Sequence, residues 1–259
     1  MSKLSTILEK KNMLTGFVTA GDPSIEATKE NILALVASGV EVIEIGVPFS
    51  DPVAEGPIVQ SANVRALANG CTIHKIFDMI EELRTQTQVP FVLMTYANPM
   101  YNYGFEAFCQ KCKAVGVDGI IVPDVPYEES DELRTFAKQS EIELITMVAL
   151  SSMNRIEKLV KEATGYIRLS ASAKTFHQNK RAVEDMMNEI RKYTKIPVLF
   201  CGEVETKEEI ERIQLYTDGV VLDNALVERI AEHGKDAGEP LKAYIGMLTG
   251  NVAKAQLTA

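Results

Sequence analysis

The chain has few of the residues that mark disulfide-rich and metal-binding proteins. Its 259 residues include four cysteines and three histidines, too few and too scattered for a disulfide framework in a chain this long. Cys109 and Cys112 have C-x-x-C spacing, but they lie within a helical pattern, FEAFCQKCKAV, and no second ligand pair follows them. We therefore expect ordinary helix-face cysteines and no metal; a structural zinc or redox role is the alternative.

An excess of basic residues and a long apolar run are also lacking. The 27 Lys and Arg are outnumbered by 36 Asp and Glu, for a net charge of −9, which argues against a nucleic-acid partner. No apolar run is long enough to span a bilayer, and the N-terminal MSKLSTILEKKNML lacks the apolar core of a signal peptide. We expect no membrane partner and a cytoplasmic location.

No Ser/Gly-rich or Pro-rich linker divides the chain, so residues 1–259 are predicted to form one domain. Short apolar, β-branched runs alternate with amphipathic segments throughout, as in parallel strands that are covered on both faces. Eight such units in about 250 residues predict a (β/α)8 TIM barrel, with a doubly wound sheet as the alternative. The predicted strands are Leu14–Thr19, Val42–Val47, Phe91–Thr95, Gly119–Val122, Glu143–Val148, Tyr166–Leu169, Val198–Cys201 and Gly219–Leu222.

The predicted helices between these strands follow a 3.6-residue period. An additional C-terminal helix is predicted to complete the outer ring of the barrel. The helices include Ile25–Ala37, Phe105–Val115, Glu128–Gln139, Met153–Ala163, Val183–Tyr193, Lys207–Tyr216 and the C-terminal Leu241–Ala255.

Two carboxylates in the segment EIGVPFSDPVAEGP are candidates for acid/base chemistry. The two-residue period of a strand directs Glu44 into the barrel near its mouth, while Ile43 and Ile45 face the helices. A carboxylate in an apolar strand is costly unless it is paired or protonated, and such acids tend to lie in active sites. The alternatives are a purely structural ion pair for Glu44 and a solvated loop acid at Glu55.

Three other polar residues near strand ends are predicted to be structural. Asp124 is expected in a turn or as the N-cap of the helix that follows it, and Asn98 and Asp22 are expected in turns.

Four segments resemble the α-subunit of tryptophan synthase. They are GFVTAGDPS (16–24), EIGVPFSDPVAEGPIVQSANVRAL (44–67), MTYANPMYNYG (94–104) and GVDGIIVPDVPYEES (116–130). The similarity is strongest from about residue 14 to residue 163 and continues more weakly to about residue 230. It implies a (β/α)8 barrel that cleaves indole-3-glycerol phosphate to indole and glyceraldehyde 3-phosphate by a retro-aldol reaction. It also implies a β-subunit partner in an α2β2 complex; the pyridoxal phosphate belongs to that partner, and no cofactor is expected in this chain.

The resemblance also implies roles for individual residues. Glu44 matches the general acid/base that protonates the indole ring carbon, and Glu55 stands where the family has an aspartate that accepts the indole N–H. One additional methylene preserves that acceptor. The residues that match the apolar walls around the indole are Phe17, Ile58, Met94 and Ile121.

The last third of the chain departs from the family in the region that binds phosphate. Its sixth loop, LSASAKTFHQNK (169–180), has no glycine where the family has S-x-x-G-V-T-G. After the seventh strand, Gly202 is followed by Glu203 where the family has a second glycine. After the eighth strand, Asp223 and Asn224 replace a Gly-Ser pair.

These replacements oppose a bound phosphate. A like-charge contact near ~4 Å costs roughly 4 kcal/mol at an effective dielectric constant of about 20. Asp223 is also placed to cap the following helix, where the phosphate would otherwise bind. We therefore expect that phosphate is not bound in the family's manner. Lys174 would either supply a compensating cation or lie exposed.

Arg168 occupies a position where the family has an inward-facing tyrosine. It shares a face of the sixth strand with Tyr166 and Ser170. We predict an ion pair between Arg168 and Glu44 that depresses the pKa of Glu44, the wrong direction for a general acid.

The sequence leaves three functions open. The first is an active lyase with a drifted phosphate site. The second is an impaired homologue that serves as a binding or regulatory partner of a β-subunit through the 52–57 loop. The third is a barrel for a non-phosphorylated ligand whose negative group is bound by Arg168.

Overall fold

Eight parallel strands close into a barrel in a computed structural model that describes residues 3–4, 10–171 and 180–250. The strands pair in chain order, and the eighth pairs with the first. This confirms the predicted (β/α)8 fold, and the doubly wound alternative is wrong. The strands are β1 (Met13–Thr19), β2 (Val42–Gly46), β3 (Phe91–Met94), β4 (Gly119–Ile121), β5 (Glu143–Ala149), β6 (Thr164–Ser170), β7 (Val198–Cys201) and β8 (Gly219–Leu222).

Helices surround the barrel, with 3-10 turns at Tyr127–Glu129, Leu150–Arg155 and Gly234–Asp236. They are α1 (Ile25–Ala37), α2 (Pro57–Ala68), α3 (Ile73–Leu83), α4 (Ala97–Tyr103), α5 (Phe105–Val115), α6 (Asp131–Gln139), α7 (Ile156–Val160), α8 (Lys180–Tyr193), α9 (Lys207–Gln214), α10 (Asn224–His233) and α11 (Gly238–Thr249).

Some predicted helix bounds are wrong. The segment 153–163 contains only the five-residue α7, because its first residues form a 3-10 turn. The segment 128–139 likewise begins with a 3-10 turn, and its α-helix starts at Asp131. The predicted C-terminal helix is present as α11 up to Thr249, and residues 251–255 of the prediction lie outside the described residues.

Successive side chains along each strand point alternately into the barrel and outward to the helices. Inward side chains such as Met13, Phe17 and Val42 form one cluster inside the barrel. Outward ones such as Ile43 and Ile45 pack against the helices in a larger cluster. This two-residue alternation places Glu44 inside the barrel, as predicted.

The C-x-x-C pair belongs to the outer core. Cys109 and Cys112 are both buried on the inner face of α5, and burial raises the pKa of both thiols, that of Cys109 to about 11. Within residues 3–4, 10–171 and 180–250, no three His, Cys, Asp or Glu side chains are grouped to hold a metal ion. In the same ranges, no helix has the length and apolar character needed to cross a membrane.

Candidate active site

Glu44 is a fully buried carboxyl in the middle of the barrel lumen. It lies on β2 beside Phe17 of β1 and Val92 of β3, and its exposed fraction is 0%. Tyr166 of β6 reaches it from the opposite wall, and its hydroxyl donates a 2.6 Å hydrogen bond to Glu44 Oε1. Glu44 Oε2 has no hydrogen-bond partner within the described part of the chain. One carboxyl oxygen is therefore fixed by a hydrogen bond, and the other accepts none from the described residues.

Arg168 lies against the second carboxyl oxygen of Glu44. Its Nη2 atom is 3.4 Å from Glu44 Oε2, which confirms the predicted ion pair. The same Nη2 atom is 3.5 Å from Asp223 Oδ2, and Nη1 is 3.6 Å from the sulfur of Met94. A single guanidinium is thus shared by two carboxylates.

The surroundings of Glu44 shift its pKa in the direction opposite to the one predicted. Burial raises the pKa of the Glu44 carboxyl, although the charge of Arg168 and the hydrogen bond from Tyr166 act to lower it. The negative charge of Asp223 adds to the increase. The predicted depression of this pKa is therefore wrong, because one shared cation does not compensate for the complete loss of hydration.

Arg168 itself remains charged. Burial opposes its charge, but the neighbouring Cys201, Glu44 and Asp223 outweigh that effect and raise its pKa. One cation is thus shared by the fully buried Glu44 and the less deeply buried Asp223.

Glu55 lies on the rim of the barrel, just before α2. Asn63, in the second turn of α2, donates a 2.6 Å hydrogen bond to Glu55 Oε2, and the Tyr96 hydroxyl is a second partner. Burial raises the pKa of Glu55, while these two hydrogen bonds and the charge of Arg168 act to lower it. Burial likewise raises the pKa of Tyr96, to about 12. Glu55 is therefore a partly buried, oriented acceptor and not the solvated loop acid of the alternative interpretation.

The four residues predicted to form the apolar walls meet at this end of the barrel. Phe17, Met94 and Ile121 are buried members of the inner cluster, and Ile58 packs against it from α2. Gly46 makes room for them, because a Cβ atom there would lie 2.6 Å from Cζ of Phe17. Their contact with an indole ring stays a prediction.

The ends of β7 and β8 form the region that was predicted to be altered. Asp223 Oδ1 accepts a 2.6 Å hydrogen bond from the Asn224 N–H at the start of α10, so the predicted helix cap is confirmed. Asp223 Oδ2 accepts a 3.1 Å hydrogen bond from the Cys201 thiol. Glu203 is exposed. Lys174 and the rest of 172–179 lie outside the described residues.

Gly202 is required by close packing between the ends of β6 and β7. A Cβ atom at this position would overlap the carbonyl of Ala171 and lie 2.9 Å from a ring carbon of Phe200. The backbone at Gly202 is therefore held against the sixth loop, where the family resemblance places a phosphate contact.

Comparison with known proteins identifies the family. The family model described as "Tryptophan synthase alpha chain" matches residues 4–255. The chain belongs to the tryptophan synthase alpha chain family. This confirms the resemblance carried by the four sequence segments.

Similar sequences and similar solved structures both come from tryptophan synthases. The tryptophan synthase alpha chain of Lacticaseibacillus casei is 33% identical and matches 100% of this chain and 98% of its own length. That of Alkaliphilus metalliredigens is 37% identical over 88% of each chain. The tryptophan synthase complex of Pyrococcus furiosus contains a chain with a TM-score of 0.87 and 32% identity, covering 93% of this chain and 99% of that one.

Several residues of this tryptophan synthase alpha-type site were not singled out from the sequence. Tyr96, Asn63 and Cys201 make direct contacts to Glu55 or Asp223. The contact of Asn63 could have been predicted from the sequence, because Asn63 follows Glu55 by eight residues on a helix that begins two residues after Glu55. The other two depend on how neighbouring strands are staggered in the barrel, which sequence spacing does not encode.

Of the three residues predicted to be structural, Asp22 and Asp124 lie in turns as expected, and Asn98 does not. Both carboxylate oxygens of Asp124 accept from the Ala97 N–H, at 3.0 and 3.1 Å, so it caps α4 and not the helix that follows it. Asn98 lies inside α4 and not in a turn. Asp22 lies between β1 and α1, but it is buried and forms a bidentate ion pair with Arg65 at 2.7 and 2.8 Å.

Proposed function

We propose that this chain cleaves indole-3-glycerol phosphate to indole and glyceraldehyde 3-phosphate, with Glu44 as the proton donor. Membership of the tryptophan synthase alpha chain family supports the reaction class. The observation that carries the proposal is the Glu44 carboxyl, which is fully buried, hydrogen-bonded by Tyr166 at Oε1 and 3.4 Å from Arg168 at Oε2. A cytoplasmic location, expected from the sequence, is part of the proposal.

The reaction needs one proton to be delivered to carbon. When the bond between the indole ring and the glycerol carbon breaks, the ring carbon gains a proton and the adjacent hydroxyl loses one as it becomes the aldehyde carbonyl. A carboxyl with a raised pKa holds its proton to higher pH than an ordinary carboxyl and can deliver it, and the resulting carboxylate can accept the hydroxyl proton. Burial supplies that raised pKa at Glu44.

Glu55 is suited to orient the indole ring. Its hydrogen bonds to Asn63 and Tyr96 hold a carboxylate at the rim, where it can accept the indole N–H. The cluster of Phe17, Met94 and Ile121 offers an apolar surface of the kind that binds aromatic rings.

The phosphate group is the weakly bound part of the proposed substrate. The N-terminus of α10 is already occupied by the Asp223 carboxylate, and helix N-termini bind phosphate through those same N–H groups. We therefore propose a lyase with weak affinity for the phosphate end of its substrate.

A β-subunit partner is the second part of the proposal. Structural work on the Pyrococcus furiosus protein describes mutual activation of a tryptophan synthase α2β2 complex. In the present chain, large apolar side chains are exposed on the loops and helices after β2 and β3. They are Val53 (77% exposed), Val64 (67%) and Tyr101 (74%). Large exposed apolar residues on consecutive units of the barrel are consistent with a protein interface there.

Indole release from indole-3-glycerol phosphate, measured with and without a tryptophan synthase β-subunit, tests the proposal. We expect release that the partner stimulates and that Glu44→Gln abolishes. Absence of turnover with stimulation of the β reaction would refute the lyase function and indicate a regulatory subunit. Absence of both effects would refute the family reaction and favour a different ligand.

A further inference from the structure

One guanidinium nitrogen in the barrel lumen contacts two carboxylates that come from distant parts of the chain. Arg168 Nη2 is 3.4 Å from Glu44 Oε2 and 3.5 Å from Asp223 Oδ2. Glu44 lies on β2, Arg168 on β6, and Asp223 directly after β8. The guanidinium therefore bridges the proposed proton donor and the cap of α10.

Little solvent reaches this bridge. The exposed fractions of the side chains are 0% for Glu44, 5% for Arg168 and 19% for Asp223. Charges at such depth are weakly screened, so a change at one of the three groups affects the other two strongly.

Competition between the two carboxylates follows from the geometry. Neither contact is a short bidentate pair, and the Arg168 Nε atom has no hydrogen-bond partner within the described part of the chain. Asp223 is further held by the Asn224 N–H and the Cys201 thiol. It is therefore a fixed side chain that competes with Glu44 for the same guanidinium nitrogen.

We propose that Arg168 is a positioning residue for Glu44, and that Asp223 weakens its hold so that Glu44 keeps the proton it donates. This inference rests on the proposed function, because that proton is the one transferred to the indole ring. Loss of Arg168 and loss of Asp223 must then change the protonation of Glu44 in opposite directions.

The charges that surround Glu44 give the sign of each change. Arg168 favours the Glu44 carboxylate and lowers its pKa, whereas the negative charge of Asp223 raises it. The remaining titratable groups that face this cluster are Tyr166 of β6, which donates to Glu44, and Cys201 of β7, whose thiol donates to Asp223. Glu55 on the rim also interacts with the charge of Arg168.

The experiment measures the protonation of Glu44 in two independent ways. The first is the pH dependence of indole release for the wild type, Arg168→Met, Arg168→Lys and Asp223→Asn. The second is a carbon-13 NMR titration of the Glu44 carboxyl in protein labelled at glutamate, with the resonance assigned by Glu44→Gln. Arg84→Met is the matched control, because Arg84 forms an ion pair with Asp118 of similar depth at the amino-terminal end of the strands, away from Glu44.

Arg168→Met is expected to move the basic limb of the pH profile to higher pH by about one unit or more, and Asp223→Asn to move it to lower pH by a similar amount. Arg168→Lys should fall between the wild type and Arg168→Met, and Arg84→Met should leave the limb unmoved. The Glu44 resonance should shift its midpoint in the same directions.

Two results would overturn the inference. The first is an unchanged midpoint of the Glu44 titration in Asp223→Asn, a variant that is expected to fold even if Arg168→Met does not. The second is a shift of the midpoint in the same direction in both variants. If the chain releases no indole but the NMR midpoints move in opposite directions, the proposed function fails and the pairing of Arg168 and Asp223 stands.

Discussion

Replacing Asp223 by serine should restore anion binding at the N-terminus of α10. Asp223 accepts the Asn224 N–H at 2.6 Å, and a serine hydroxyl is an equally good N-cap without the negative charge. Helix N-termini with uncompensated N–H groups attract phosphate. The variant therefore keeps the helix cap and removes the charge that opposes the phosphate of the proposed substrate.

The size of the effect follows from the electrostatics. A phosphate charge near ~4 Å from the Asp223 carboxylate is repelled by about 4 kcal/mol at an effective dielectric constant of about 20, which is an upper bound. The carboxylate is 19% exposed and lies 3.5 Å from Arg168, so solvent and the guanidinium reduce that repulsion. We expect a gain in affinity of about 1.4–2.8 kcal/mol, a ten-fold to hundred-fold decrease in Kd.

Calorimetric titration with glycerol 3-phosphate measures this gain without depending on turnover. Asp124→Ser is the matched control, because Asp124 caps α4 in the same way through the Ala97 N–H but lies outside the proposed phosphate region. An unchanged Kd in Asp223→Ser, or an equal gain in Asp124→Ser, would refute the electrostatic reasoning.

Three further changes test separate parts of the structure. In Glu44→Gln, the free energy of unfolding should fall less steeply with rising pH than in the wild type from about pH 5 upward. A carboxyl whose pKa in the folded state is raised above its ordinary value of 4.5 lowers the stability of the fold as pH rises. Equal slopes of stability against pH, measured by urea unfolding, would contradict the raised pKa. Gly202→Ala should destabilise the chain by about 1–3 kcal/mol, since its Cβ would overlap the Ala171 carbonyl, and an unchanged Tm would show that the two loops separate easily. Arg65→Met should cost about 1–3 kcal/mol in denaturant unfolding, because it leaves the buried Asp22 carboxylate, 2% exposed, without its cation; no loss would mean that water replaces the pair.

The barrel was predictable because its strands are short apolar runs covered on both faces. The bounds of β7 and β8 agree with the prediction at both ends, and the inward direction of Glu44 follows from a two-residue period. The helices α2, α3, α4 and α10 were not singled out. Of these, α2 and α10 each begin directly after a loop that carries site residues.

The contacts across the lumen were only partly predictable. The charges of Arg168 and Glu44 suggested their pairing, but the sign of the pKa shift at Glu44 depends on depth, and depth is a property of the closed barrel. The contact of Asp124 with Ala97 was not predictable either, because it joins two consecutive strand–helix units and depends on the stagger of β3 and β4.

The central claim is that Glu44 delivers a proton to the indole ring carbon, and exchange of that carbon's hydrogen in D2O tests it most directly. Indole itself carries no phosphate, so the altered region around Asp223 does not limit the measurement. We predict that the wild-type chain accelerates incorporation of deuterium at the ring carbon of free indole near neutral pH, and that Glu44→Gln lowers the rate to that of buffer. Exchange by Glu44→Gln at the wild-type rate would contradict the assignment of Glu44 as the proton donor.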